Sequence, residues 1–241
     1  MPTPPLEVYL LGLVDFDDAQ QLQRRLAYDL GEAGGGALIL CEHTPTVSIG
    51  RAGSRGHLRV DPKQLQASGI AVRWVNRGGG CVLHLPGQIT GYFVYPMARA
   101  GLDVGSYVGH LERAIVATLA EFNLAGSPRP EAPGIFLGHS RVASIGVAVS
   151  RWIAYHGFTL NVGAYLEPFD AILDEPGWDG YSLRQTSIES RRQRPAPMAQ
   201  VRESLIRQVE TSFGLERHHL YTHHPLVRRK VASHVYAQSA G

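Results

Sequence analysis

The chain has 241 residues, 44% of them hydrophobic, and a formal net charge of +2. That length suits one domain with a sizeable core, or at most two small ones. The small charge excludes an obvious nucleic-acid binder, and no apolar run approaches the roughly 18 residues of a membrane span.

In chain order, LEVYLLGLV (6–14) predicts a strand. Asp15 is placed to cap a helix whose apolar face carries Leu22, Leu26 and Leu30 at i, i+4 spacing, with Asp17 and Asp18 at its positive end; Gly34–Gly36 end it. ALILCEH (37–43) predicts a buried strand, 44–68 a loop-rich stretch, and IAVRWVN (70–76) another strand. RGGGCVLHLPGQ (77–88) then leads into a strand over ITGYFVYP (89–96). Val108, Leu111, Ile115, Leu119 and Phe122 mark a helix over 104–123, and SPRPEAPG (127–134) is expected to be a loop. RVASIGVAVS (141–150) and YHGFTLNV (155–162) predict a strand pair, and 166–186 an irregular stretch. Val201, Leu205, Val209 and Phe213 recur every four residues, an amphipathic helix. Strands dominate the middle without strict βαβ alternation, so the expected class is α+β around a mixed central sheet with flanking helices. One domain over 1–220 and a basic C-terminal tail over 221–241 are expected.

The glycine run in RGGGCVLHLPGQ carries the chemistry. Without Cβ atoms the backbone can approach a ligand closely, and successive N–H groups there can hold a carbonyl or carboxylate oxygen. Arg77 adds a fixed charge, and His84 is a polar residue in an otherwise apolar strand. A β-bulge with a satisfied core histidine reads the same pattern equally well. The two cysteines, Cys41 and Cys81, show no metal or CxxC spacing and read as buried thiols; Cys41 and His43 share one strand face. The histidines at 218, 219, 223 and 224 lack a carboxylate or cysteine partner and read as a solvated loop, so no metal site is assigned. Arg191, Arg192 and Arg194 read as an exposed face, and the acids over 167–179 have no fixed geometry. The start of the sequence lacks a basic region and meets Asp15 early, which, with reduced thiols, suggests a cytoplasmic protein.

RGGGCVLHLPGQ resembles RGGxxTxHGPGQ of the lipoate–protein ligase B family of octanoyltransferases, with Val82 and Leu85 in place of Thr and Gly. EHTPTVSIG (42–50) is similar to the family's EHxPxxTxG, the stretch from Arg141 to Val162 to KIASxG…HGxxLNV, and LEPFDAI (166–172) to DLxxFxxI. The likeness covers about residues 8–190. It implies the biotin/lipoate protein ligase fold, no cofactor, and transfer of an octanoyl group from octanoyl-acyl carrier protein to a lysine of a lipoyl domain. The acceptors would be the lipoyl domains of 2-oxoacid dehydrogenases or the glycine cleavage protein. Carried over by position, the substrate pocket comprises His43, Arg77, Gly78, Gly79, Gly80, Cys81, Val82, Leu83, His84, Ser144, Ile145, Gly146, Gly157, Phe158 and Thr159. APG (132–134) matches the turn before the family's lysine strand. Two positions depart. The family's lysine is Arg141 here, and its cysteine falls on Glu175 or Pro176, neither a thiol. A thiolate carries the acyl group in that family and a lysine ammonium favours the thiolate, whereas an arginine keeps its proton. Cys41, and after it Cys81, are the thiols that could substitute, though both read first as small buried hydrophobes. An inactive acyl-binding paralogue and direct transfer without a cysteine intermediate are the alternatives. An ATP-dependent ligase fits less well, because that branch also relies on the lysine.

Overall fold

A computed structural model describes residues 4–33, 35–129, 132–174 and 183–230. Eleven strands and six helices are found among them. The strands are β1 (Leu6–Val14), β2 (Ala37–His43), β3 (Thr46–Ile49), β4 (Ala71–Trp74), β5 (Cys81–His84), β6 (Gln88–Pro96), β7 (Ser127–Arg129), β8 (Ala132–Leu137), β9 (Ser140–Ser150), β10 (Ile153–Asn161) and β11 (His218–Tyr221). The helices are α1 (Phe16–Ala33), α2 (Pro62–Ala67), α3 (Val104–Glu121), α4 (Glu167–Ile172), α5 (Ile188–Arg192) and α6 (Met198–Phe213).

Eight strands form one mixed sheet in the order β11-β1-β2-β6-β10-β9-β8-β7. The β11–β1 and β1–β2 pairs are parallel and the rest antiparallel. Its central strands are apolar on both faces because both are covered. From β2, Leu38 and Leu40 join Phe93, Tyr107, Leu111, Ile115, Val201, Leu205 and Val209 in the core beneath α3 and α6. Ala37, Ile39 and Cys41 face the other way, against Leu22, Leu26 and Leu30 of α1. Truncating one such leucine to alanine would cost about 2–5 kcal/mol. A second sheet, β4-β3-β5, has its own small core of Val47, Ile49, Leu65, Cys81 and Leu83, closed by Phe169 and Ile172 of α4.

The helix ends follow local chemistry. Asp15 sits at the start of α1: its carbonyl accepts from Ala19 N (3.3 Å), while its carboxylate meets Thr44 Oγ1 (3.3 Å) and Lys230 Nζ (2.8 Å). Asp103 and Ser106 form a reciprocal capping box on α3.

Three secondary-structure expectations change. The loop-rich stretch 44–68 contains β3 and α2, the latter capped by Asp61. SPRPEAPG contributes β7 and the start of β8; Pro128 is tolerated because β7 is the sheet's edge. The stretch 166–186 contains α4, and residues 175–182, with Glu175 and Pro176, lie outside the described residues. Arg191 and Arg194 are exposed as expected, and the Arg191 guanidinium donates to Leu137 O, Ser140 Oγ and Thr186 Oγ1. At the other end, β11 runs across the expected 220/221 boundary. Arg229 donates to Leu10 O and Leu11 O, so the chain lies along β1 as far as residue 230.

Candidate active site

Three segments distant in sequence are brought together by the two sheets. In the small sheet β5 runs antiparallel to β3, pairing Ser48 with Val82 and Thr46 with His84. In the large sheet β10 pairs with β9 (Gly157 with Gly146, Phe158 with Ile145, Thr159 with Ser144) and with β6. The glycine loop 77–80 spans the gap: Gly78 N donates to Val147 O at 2.9 Å, and a Cβ on Gly146 would stand 2.7 Å from Gly78 O. Glycine at 146 is therefore what lets the loop lie on the sheet.

The result is a cleft enclosing about 570 Å³, open at its mouth. Arg77, Gly79, Gly80, Cys81, Val82, His84, Ser144, Ile145, Gly146, Gly157, Phe158 and Thr159 line it, and Arg141 lies in the same wall. Sequence reasoning missed Phe16, Ser48, Thr90, Tyr92, Pro133 and His156 as lining residues. Ser48 and His156 belong to stretches that carry the family resemblance, and Thr90 follows the glycine motif by two residues. Their inward direction depends on how β3, β6 and β10 pair.

Three expected pocket residues do not line the cleft. His43 is fully buried behind it, its ring against Phe16, His84 and Tyr92 with centroids 5.2, 5.5 and 5.8 Å away. Gly78 spends its N–H on Val147, and Leu83 points into the small core by strand alternation. The side chain of Cys81 points that way too, toward Ser54 O at 3.7 Å.

The loop's carbonyls are engaged by the opposite backbone: Arg77 O, Gly79 O and Gly80 O accept from Arg51, Ala52 and Gly50 N at 3.0–3.1 Å. Among the described residues, the amides of Gly79 and Gly80 donate to no protein acceptor, and both residues face the cleft. With Gly79 at φ +80°, this is a pair of successive N–H groups suited to an acyl or carboxylate oxygen.

A polar chain fixes the wall. Arg77 Nη2 donates to Ser48 Oγ (2.8 Å) and Ser48 O (2.9 Å). Ser48 Oγ lies 2.9 Å from His84 Nε2, and His84 Nδ1 lies 3.4 Å from Thr90 Oγ1. Because the arginine can only donate, Ser48 Oγ accepts from it, and the ring of His84 is held between the hydroxyls of Ser48 and Thr90. Burial first, then the nearby His43, Arg77 and His156, holds the His84 imidazolium pKa well below its usual value. His156 is lowered to about 3 by burial, Arg77 and Arg24, and His43 to about 4 by burial. All three rings are hydrogen-bonding groups rather than proton carriers at neutral pH. His156 also holds a left-handed backbone, φ +62°, its N–H donating to Gln23 Oε1 at 2.8 Å; strain of this kind clusters at functional sites.

Arg141 is buried in the cleft wall on β9. Its N–H donates to Arg184 O (2.8 Å), its carbonyl accepts from Thr186 N (2.9 Å), and with the Gln185 amide oxygen turned toward it Nη2 donates at 2.9 Å. A Cβ on Gly134 would come 3.2 Å from Arg141 Cδ. Cys41 does not line the cleft: its Sγ lies 3.6 Å from His43 Nε2, and burial pushes the thiol pKa up, opposing thiolate formation.

Other motif residues brace the site from behind. Glu42 accepts from Gly87 N (2.9 Å) and pairs with Arg202 of α6 (2.7 Å). Gln88 donates to Asn161 Oδ1 (2.9 Å), and Asn161 to Thr186 O (3.0 Å).

The sequence profile of the lipoyl protein ligase A/B catalytic domain matches residues 15–210. An octanoyltransferase of Geotalea uraniireducens is 42% identical over 164 residues, covering 67% of this chain and 73% of that protein. One from Roseiflexus sp. is 35% identical over 216 residues, covering 88% of each. Among solved structures, a lipoate protein ligase from T. acidophilum with bound lipoic acid superposes with a TM-score of 0.72 at 18% identity, over 92% of this chain and 91% of that one. A biotin protein ligase from Aquifex aeolicus gives 0.54 at 11%, over 87% and 70%. At these identities the solved structures establish a shared architecture.

Proposed function

The chain belongs to the lipoyl protein ligase A/B family, in its lipoate–protein ligase B branch and with the biotin/lipoate protein ligase fold, and on that premise we propose that it is an octanoyltransferase of lipoate biosynthesis. It moves an octanoyl group from acyl carrier protein to a lysine of a lipoyl domain, of a 2-oxoacid dehydrogenase or of the glycine cleavage system. The carbon–sulfur bond of the thioester breaks, a carbon–nitrogen bond forms, and the proton lost by the amine ends on the carrier thiol.

The observation that carries this reading is that Gly79 and Gly80, whose amides donate to no acceptor among the described residues, line a cleft whose walls include Phe16, Val82, Ile145 and Phe158. The amides suit the acyl carbonyl oxygen, whose charge grows as the amine or a thiol attacks. The apolar walls suit the octanoyl tail: about seven carbons at roughly 0.8 kcal/mol each amount to about 5–6 kcal/mol before association costs. Arg141 holds a buried positive charge where the family carries lysine. It supports a developing oxyanion but does not accept a proton, and burial lowers the pKa of His84 and His156, which makes both weak proton acceptors.

The test is incubation with octanoyl-acyl carrier protein and a lipoyl domain, read by intact mass. An octanoylated lipoyl domain supports the reading. An unmodified domain alongside tight octanoate binding would make the chain an acyl-binding relative without the transfer step.

A further inference from the structure

A second and larger groove, enclosing about 1880 Å³ open to solvent, adjoins the acyl cleft; both are lined by Phe16 and His156. Its charge is strongly one-sided. Arg24 of α1, Arg51 after β3, Arg73 of β4 and Arg151 of the β9–β10 turn all line it, and Asp17 is the one acid. Arg73 neutralises that acid, its Nε and Nη2 donating to the Asp17 carboxylate at 2.8–2.9 Å. Among the described residues, the side chains of Arg24, Arg51 and Arg151 make no ion pair or hydrogen bond, and all three are exposed. Three guanidinium groups from three separate segments thus face one groove without an anion of their own. Trp74, 59% exposed, presents a flat aromatic surface beside them.

We propose that this groove seats the phosphopantetheine arm of the acyl donor, with Arg24, Arg51 and Arg151 on its phosphodiester and its thioester end entering the cleft past Phe16 and His156. The assignment rests on the octanoyl-transfer reading. Guanidinium forks match phosphate oxygens, and an exposed indole accommodates the amide-bearing arm. The acceptor is the wrong partner for this groove: its reacting group is a lysine, which as an ammonium is repelled by three uncompensated arginines. The acceptor lysine therefore approaches by the cleft's own mouth.

The experiment compares wild type with the triple variant Arg24→Gln, Arg51→Gln, Arg151→Gln, and with the matching triple lysine variant, using octanoyl-carrier protein and octanoyl-pantetheine as donors. The expected result is a rise of about tenfold or more in KM for octanoyl-carrier protein in the glutamine variant, partly restored by lysine. KM for octanoyl-pantetheine, which has no phosphate, and for the lipoyl domain should stay within about twofold. An unchanged KM for the carrier, an equal rise with octanoyl-pantetheine, or a rise confined to the lipoyl domain would overturn the assignment. Calorimetry with 4′-phosphopantetheine and pantetheine separates it from the activity. If wild type transfers from neither donor, the octanoyl-transfer reading fails and calorimetry alone decides the groove. Binding of phosphopantetheine about tenfold tighter than pantetheine, lost in the glutamine variant, upholds it; equal binding of the two sinks it.

Discussion

The hydroxyl of Ser48 lies 2.9 Å from Nε2 of His84 and also receives a hydrogen bond from Arg77, so one small side chain partners two buried polar groups together. Ser48→Ala leaves both groups short of a partner, which should cost about 1–3 kcal/mol of stability and lower transfer activity. Ser48→Thr keeps the hydroxyl, matches the threonine of the EHxPxxTxG pattern, and should retain activity. Urea titrations and initial rates on the two variants check this. Equal behaviour of alanine and threonine would show that the hydroxyl is not what matters.

Acid should destabilise the fold well before its carboxylates are protonated. His43 and His156 titrate at about 4 and about 3 in the folded chain, against about 6.5 unfolded. Above about pH 6.5 neither state holds the proton and stability is undiminished. Below it the unfolded chain takes up protons that the fold refuses, so stability falls by about 1.4 kcal/mol per pH unit for each histidine, until about pH 4 for His43. Urea unfolding at pH 7.5, 6 and 5 should show the decline, and His43→Gln should make it shallower. A curve flat between pH 7.5 and 5 would contradict the burial argument.

A Cβ on Gly157 would stand 2.3 Å from the carbonyl oxygen of Gly91, backbone that cannot move without breaking the β6–β10 pairing. Gly157→Ala should therefore cost about 2–4 kcal/mol. Gly101 has a positive φ, +64°, which Gly157 does not, but nothing lies within 4 Å of its Cβ position, so Gly101→Ala should cost only about 1 kcal/mol. Paired thermal melts test the contrast; a loss at Gly157 no larger than that at Gly101 would contradict the clash with Gly91.

The thiol of Cys41 should be chemically silent. It is fully buried, burial opposes its thiolate, and it does not line the cleft. Native protein at pH 8 should leave Cys41 unmodified by iodoacetamide, and acid-quenched mixtures with octanoyl-carrier protein should show no hydroxylamine-sensitive octanoyl group on it. Cys41→Ala should keep transfer activity. An octanoyl adduct mapped to Cys41 would make it a relocated nucleophile.

Fatty-acid chain length should control affinity. Each methylene withdrawn from water into the cleft is worth roughly 0.8 kcal/mol, so octanoate should bind about 3 kcal/mol more tightly than butanoate. Titration calorimetry with the two acids measures the difference. Equal affinities would show that the tail is not buried.

Much of this was legible along the chain because it is local. The spacing of Leu22, Leu26 and Leu30, and of Val201, Leu205 and Val209, fixes two helix faces, and both faces are buried as that spacing requires. The apolar run ALILC can only be a strand covered on both sides, and it is. The glycine run with His84, and the ordered stretches around His43, Gly146 and Gly157, marked which segments build the cleft. What the chain could not reveal is non-local. Thr46–Ile49 is four buried residues without alternation, so β3 is a strand only because β4 and β5 flank it. SPRPEAPG reads as a loop until β9 offers Ala132–Leu137 a partner. His43 shares motif spacing with cleft residues, yet Phe16, from the start of α1, stands in front of it. Arg24, Arg51, Arg73 and Arg151 are scattered surface charges in sequence and line one groove in space. Side-chain periodicity settles which face of an element is buried. Which element covers that face, and which charges then share a groove, depends on contacts between residues too far apart in the chain for spacing to record.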